Sequence, residues 1–590
     1  MDGKWNLDDI YKGFDDAEFL ADFDSLGTLA KEMDDLSAKL GTFDDIAKLV
    51  RLFEKFAGKA SRMGAFSNYV YTTDTANNDA TKFRFKLNTL MAETARTKVR
   101  LSAELAKDMA GIKENAEKAG IGEYAWKLEE YAKECTHLMS EDEETLVSQM
   151  LDTGSNAWGM LQSKLISTLT CEYADPLDGG KVRTIGINEA RNLAYHTNAE
   201  VRKAAYEAEI AAYPKIATSS AAALNSIKGE VNLLCKKRKY ENALEKTLKD
   251  NAMTKETLDA MFAAIDENIQ CFRDYLRAKA RYLSESESLP FYDLFAPVGQ
   301  KSDAEFTYDQ AKTFVADNFA KFSKEMEDVA RLSYDKEWID VYPKEGKVSG
   351  AYCGSVYAIK QFRILLNYGN SLSDAITLAH ELGHGYHAMQ IMQEGILNTS
   401  YPMPLAETAS TFCETIVTNA ALETLPDDAK LQLIEGSISD ATQVIVDIYS
   451  RFLFEKKVIE TRADHPLSVD ELCEAMLDAQ KKAYGNGLDE NTLHKYMWVV
   501  KPHYYTASRN YYNFPYAFGH LLANGLYKIY EKEPAAFSAK YNSFLRATGK
   551  MSIKDSCKLM GIDVEDVNFW KSSIDVIKEN IRKFEELTRK

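Results

Sequence analysis

From residue 26 to about 166, apolar residues recur at spacings of three and four with Lys, Arg and Glu between them. That is the period of amphipathic helices, and residues 83–105 show it well. The pattern then changes. Two β-prone runs, 167–173 and 181–185, flank a Pro/Gly/Asp turn, which predicts a hairpin. Helical spacing resumes over 188–283. Residues 284–300 read as a loop holding Pro290 and Pro297, and 333–368 lean towards β structure, with 362–368 as a candidate strand. From Ser371 onward the chain is helical again almost to its end.

Composition sharpens this picture. Only 30 Gly and 12 Pro interrupt 590 residues, which favours long helices. The length exceeds a single core, so at least two lobes are expected. The expectation is a mainly α protein with a small β element near its active site. An N-terminal helical lobe, 1–185, ends in the hairpin, and 186–590 carries the chemistry. With 72 basic and 90 acidic residues the net charge is −18. Such a chain is a poor polyanion binder, so nucleic acid and anionic membranes are not expected partners. The first ten residues lack a signal-peptide pattern, and no run approaches about 18 consecutive apolar residues. The eight cysteines are scattered without a CxxC pair, which predicts neither disulfides nor a thiolate zinc site and suits a reducing cytoplasm.

The candidate chemistry lies in residues 371–394, read as one helix with Ser373 as N-cap and Gly395 as its stop. His380 and His384 are four residues apart, so both imidazoles can reach one metal ion. Glu381 points about 100° away, badly placed as a ligand but well placed to take a proton from a water beside the metal. His387 continues the histidine stripe and is a candidate to support the ligands. Gly383 and Gly385 sit mid-helix, where each costs roughly 1 kcal/mol against Ala, and so imply close approach of another element. Downstream, Pro404 suits a first helical turn, and Glu407, Thr411 and Glu414 then share a face. Glu407 is assigned as third ligand, and Glu414 as the carboxylate that orients an imidazole N–H. Other readings stay open on these residues. Glu381-x-x-His384 also fits a di-iron carboxylate site, with Glu134-Cys135-Thr136-His137 as its second half. A catalytically silent peptide binder is a further alternative.

The segment 380–384 with 406–414 resembles oligoendopeptidase F, of the thimet oligopeptidase-like zinc metallopeptidases. Residues 5–11, 289–297, 350–353, 503–505 and 511–519 are similar to that family as well, in order along nearly the whole chain. The resemblance implies a two-lobed helical metallopeptidase with one zinc ion in a deep central channel, cleaving short unstructured peptides. It places His503 and one or more tyrosines where the substrate carbonyl is held. Tyr512 is preferred, with Tyr511 next. Gly350, Ala351, Tyr352 and Tyr505 are the substrate-binding candidates. The strand at 362–368 is either an edge able to pair with substrate backbone or plain core packing.

Overall fold

The computed structural model describes residues 3–299 and 305–589. Met1 and Asp2 of the opening segment, and Gln300 at the end of the expected loop, lie outside them. The protein is mainly helical with two small sheets. Its contacts group it into two units that interleave along the chain. One comprises Met1–His137, Asp303–Glu423 and Leu526–Asp563, the other Leu138–Ser302, Thr424–Gly525 and Val564–Lys590. The chain therefore passes between units several times, where the sequence suggested one boundary at 185/186. No helix among the described residues is long and apolar enough to cross a membrane.

In the first unit, helices Ala17–Ser37 and Phe43–Thr73 pack on each other. The second starts at a capping box, Thr42 with Asp45, which satisfies the first free N–H groups. Aromatic rings fill the space between them. Phe19 meets Tyr11 edge-on at 5.1 Å and Phe83 at 4.9 Å. The sheet of this unit has Gln361–Leu365 in the middle, parallel to Ile339–Asp340 and antiparallel to Tyr352–Val356. The candidate strand is thus central, not an edge. Its four consecutive buried residues, Phe362 to Leu365, have no solvent face to spare. The open edge belongs to Tyr352–Val356 instead.

In the second unit, the predicted hairpin forms from Thr170–Asp175 and Lys181–Gly186, with Cys171 opposite Ile185. Helix Pro214–Lys237 packs against helix Ile448–Arg462. A buried ion pair joins them, Lys228 Nζ to Glu455 Oε1 at 2.7 Å, and Asn510 Oδ1 accepts from the same ammonium at 2.8 Å. All eight cysteines are free.

Candidate metal centre

Helix Leu372–Ile391 carries the histidines in the first unit. Its cap is Ser371 rather than Ser373. The Ser371 hydroxyl accepts from the Asp374 N–H at 3.2 Å, and Asp374 accepts from the Ser371 N–H at 2.9 Å. That reciprocal pair needs a Ser three residues before its acid, a spacing Ser373 lacks. At the other end the helix stops at Ile391, ahead of Gly395.

The two mid-helix glycines have their reason in packing. A Cβ on Gly383 would stand 2.6 Å from the Ala409 carbonyl oxygen and 2.7 Å from Ser410 Cα. One on Gly385 would meet the Phe362 ring at 2.7 Å. Bare backbone on one side thus admits the 408–410 segment, and on the other the central strand.

The segment so admitted delivers Glu407. It precedes helix Thr408–Thr424, and its carbonyl accepts the Thr411 N–H at 3.0 Å. Glu407 Oε2 lies 3.3 Å from His380 Nε2 and 3.5 Å from His384 Nε2. One ligand atom from each of the three residues falls within 4.8 Å of the others, the one such group of acids, histidines or cysteines among the described residues. Glu134, proposed for a second di-iron half, pairs with Lys98 at 3.0 Å and is not in that group. His380 Nδ1 is 3.2 Å from Glu414 Oε2, so Glu414 fixes which ring nitrogen faces Glu407.

The electrostatics suit a cation. Burial works against charge on His380, yet Glu407 and Glu414 outweigh it and raise its pKa to about 10. Burial likewise opposes the charged form of Glu407, but hydrogen bonds from both histidines hold its carboxyl far below the usual range. A site that favours positive charge this strongly, with two nitrogens and one carboxylate converging, fits a divalent metal. Glu381 stands apart from the three. It is 5% exposed, its Oε2 has no hydrogen-bond partner, and burial pushes its pKa up.

The profile of peptidase family M3 matches residues 192–576. The chain belongs to peptidase family M3. It is 25% identical over 599 residues to the oligopeptidase PepF of Bacillus subtilis (strain 168), covering 99% of this chain and 87% of that one. Among solved structures, it superposes on a chain from Chlamydophila abortus with a TM-score of 0.87 at 20% identity, covering 99% and 98% of the two chains. It superposes on the oligoendopeptidase-F of Enterococcus faecium with a TM-score of 0.69 at 18% identity, covering 97% and 98%. These matches bear out the resemblance to oligoendopeptidase F and the mainly α peptidase fold.

The other residues singled out in this M3 peptidase fall into two groups. His503 and Tyr512, in the second unit, stack with ring centroids 5.6 Å apart at 21°, and the Tyr512 and Tyr516 hydroxyls are 3.1 Å apart. Burial, then Arg451 and Lys501, lowers the His503 pKa to about 4, so its imidazole is neutral at pH 7. Tyr352 begins the open edge strand, and its hydroxyl bonds with Thr72 at 2.7 Å. Gly350 (φ +83°) turns the chain into that strand, and its carbonyl accepts from Asn367 at 2.8 Å. Ala351 links the two and is half-buried.

His387, Tyr505 and Tyr511 are placed elsewhere. His387 is fully buried, with Nε2 2.9 Å from the Thr548 hydroxyl and its ring stacked on Tyr401 at 4.3 Å. It holds neither Glu407 nor a histidine ligand. Tyr505 belongs to the core of the second unit. Tyr511 packs on Phe452 while its N–H donates to Glu455 at 3.0 Å. The sequence reading missed Arg451, whose Nη1 lies 3.5 Å from His503 Nε2 and 3.2 Å from Asn513 Oδ1, and which pairs with Asp447. An Asp and an Arg four residues apart were the signal, though such pairs are common on helices.

Proposed function

We propose that this M3 peptidase is a zinc-dependent oligoendopeptidase that hydrolyses short, unstructured peptides. The observation that carries the reading is the convergence of His380, His384 and Glu407 beside the buried, unpartnered Glu381 oxygen. Those three side chains would hold a zinc ion, which would supply a Lewis acid for the water molecule and the scissile carbonyl. Glu381 accepts a proton from the attacking water and delivers it to the leaving amine nitrogen. Glu414 keeps the His380 ring oriented. His503 and Tyr512 are assigned as donors to the carbonyl oxygen while negative charge develops there.

Substrate backbone is assigned to the open edge of Tyr352–Val356. Main-chain pairing on an edge is indifferent to side chains and suits a peptidase that accepts many sequences. The oligopeptidase and oligoendopeptidase names of the relatives support short substrates, and so does the burial of Glu381, which a loop on a folded surface reaches poorly.

The test is hydrolysis of a quenched fluorogenic peptide. Chelation should abolish cleavage and zinc restore it, and the same sequence held in a tight loop of a stable folded host should survive. Full activity in metal-free protein contradicts the zinc reading. Equal cleavage of free and displayed sequence contradicts the substrate reading.

A further inference from the structure

The second unit holds a cavity of about 250 Å³ whose lining includes none of the residues assigned to peptide hydrolysis. Most of its charges are satisfied. Arg191 Nη1 lies 2.6 Å from Glu209 Oε1, and Arg202 Nε lies 2.8 Å from Asp293 Oδ1. Glu209 also accepts from the Tyr213 hydroxyl at 2.6 Å, with His494 Nε2 3.1 Å away. Asp447 is paired with Arg451 and accepts from the Tyr484 hydroxyl at 3.3 Å.

Lys501 is the exception. It lines the cavity, yet its ammonium makes no hydrogen bond or ion pair within the described residues. Burial lowers its pKa to about 8, against the pull of Asp447, so it is still mostly charged at pH 7. Lys501 is half-buried rather than sealed, and its ammonium is not among the buried groups cut off from solvent, so it is open to an anion that enters the cavity.

The rest of the lining says what that is. Tyr195 and Phe295 form an aromatic wall, their ring centroids 4.9 Å apart, and Tyr195 is 61% exposed, marking the open side. That lining fits one anionic end and a flat apolar body. The paired carboxylates of Glu209 and Asp447 in the same lining disfavour a dianion such as phosphate. The volume suits one ring with one carboxylate. We propose that this cavity binds a small aromatic carboxylate, its carboxylate on the Lys501 ammonium and its ring against Tyr195 and Phe295. The site shares Asp447 with the Arg451 support of His503, so its occupant stands next to a group that bears on the peptidase chemistry.

The experiment is calorimetric titration of the zinc-loaded full chain with benzoate, with benzyl alcohol of the same shape, and with inorganic phosphate. Benzoate should bind at least tenfold more tightly than either. Lys501→Met should cost benzoate at least tenfold and leave benzyl alcohol unchanged. Ala194→Trp, which fills the cavity without altering its charge, should weaken benzoate at least tenfold, and it decides the matter if Lys501→Met does not fold. Benzyl alcohol or phosphate binding as tightly as benzoate overturns the proposal. So does benzoate affinity undiminished in either folded variant, which would place it elsewhere, the zinc included.

Discussion

Gly383 lies against the backbone of Ala409, so closely that a methyl group on it would stand 2.6 Å from the Ala409 carbonyl oxygen. This contact sets how near the Glu407 segment comes to His380 and His384. Gly383→Ala gains roughly 1 kcal/mol of helix propensity but forces apart backbone that has no side chain to bend away, an overpacking cost of about 1–3 kcal/mol. The expected outcome is a folded protein whose zinc affinity falls at least tenfold, read by competition with a chromogenic chelator. Unchanged affinity would mean that the two segments do not depend on this contact for the ligand geometry.

Glu414 acts through His380. Glu414→Ala removes the carboxylate 3.2 Å from Nδ1, freeing the ring to rotate. A loss of about 10–100-fold in zinc affinity or in turnover is expected. Glu414→Gln, which keeps a carbonyl acceptor, should recover part of it. A variant set with no effect on either quantity removes Glu414 from the account.

His387 is a stability residue, and pH reports it. Burial, then the neighbouring His384, lowers its folded pKa to about 3, while the unfolded value is 6.5. The unfolded chain therefore takes up a proton first as pH falls. The stability from this group is present above pH 6.5 and is lost as pH falls from there towards 3. Between pH 7 and pH 5 the loss is about 2 kcal/mol. Urea unfolding of zinc-free protein at those two values should show a fall about 2 kcal/mol smaller in His387→Gln than in the parent. An equal fall in both would show that His387 protonates without opposing the fold.

Much of this site was legible in the chain. The histidine pair and Glu381 follow from the spacing of donors on one helix, and the cost of Gly383 and Gly385 announced a close neighbour before that neighbour was visible, whereas Glu407 stands just ahead of helix Thr408–Thr424 and not within a helix opened by Pro404. The hairpin showed in its alternation and its turn residues. The sheet order did not, because 362–368 reads the same as an edge or a centre when every residue is apolar or β-prone. Only pairing with Ile339–Asp340 on its second side decides. His387 shares the histidine stripe but sits a turn further along, where the helix meets Thr548. Tyr505 and Tyr511 look like their neighbours in sequence, and their burial comes from packing on Ser155–Thr168 and Phe452, remote along the chain. Arg451 was hidden because its partner His503 is 52 residues away.

The central claim is that His380, His384 and Glu407 hold the zinc while Glu381 moves the proton. Its most direct test is peptide turnover per bound zinc in Glu381→Gln beside the parent protein, with zinc content measured on the same samples. Glutamine keeps the shape and cannot accept the proton. The account predicts one zinc per chain in both proteins and a fall in turnover of about 10²–10⁴-fold in the variant. Normal turnover per zinc in a variant that has lost most of its metal would contradict it and make Glu381 a ligand.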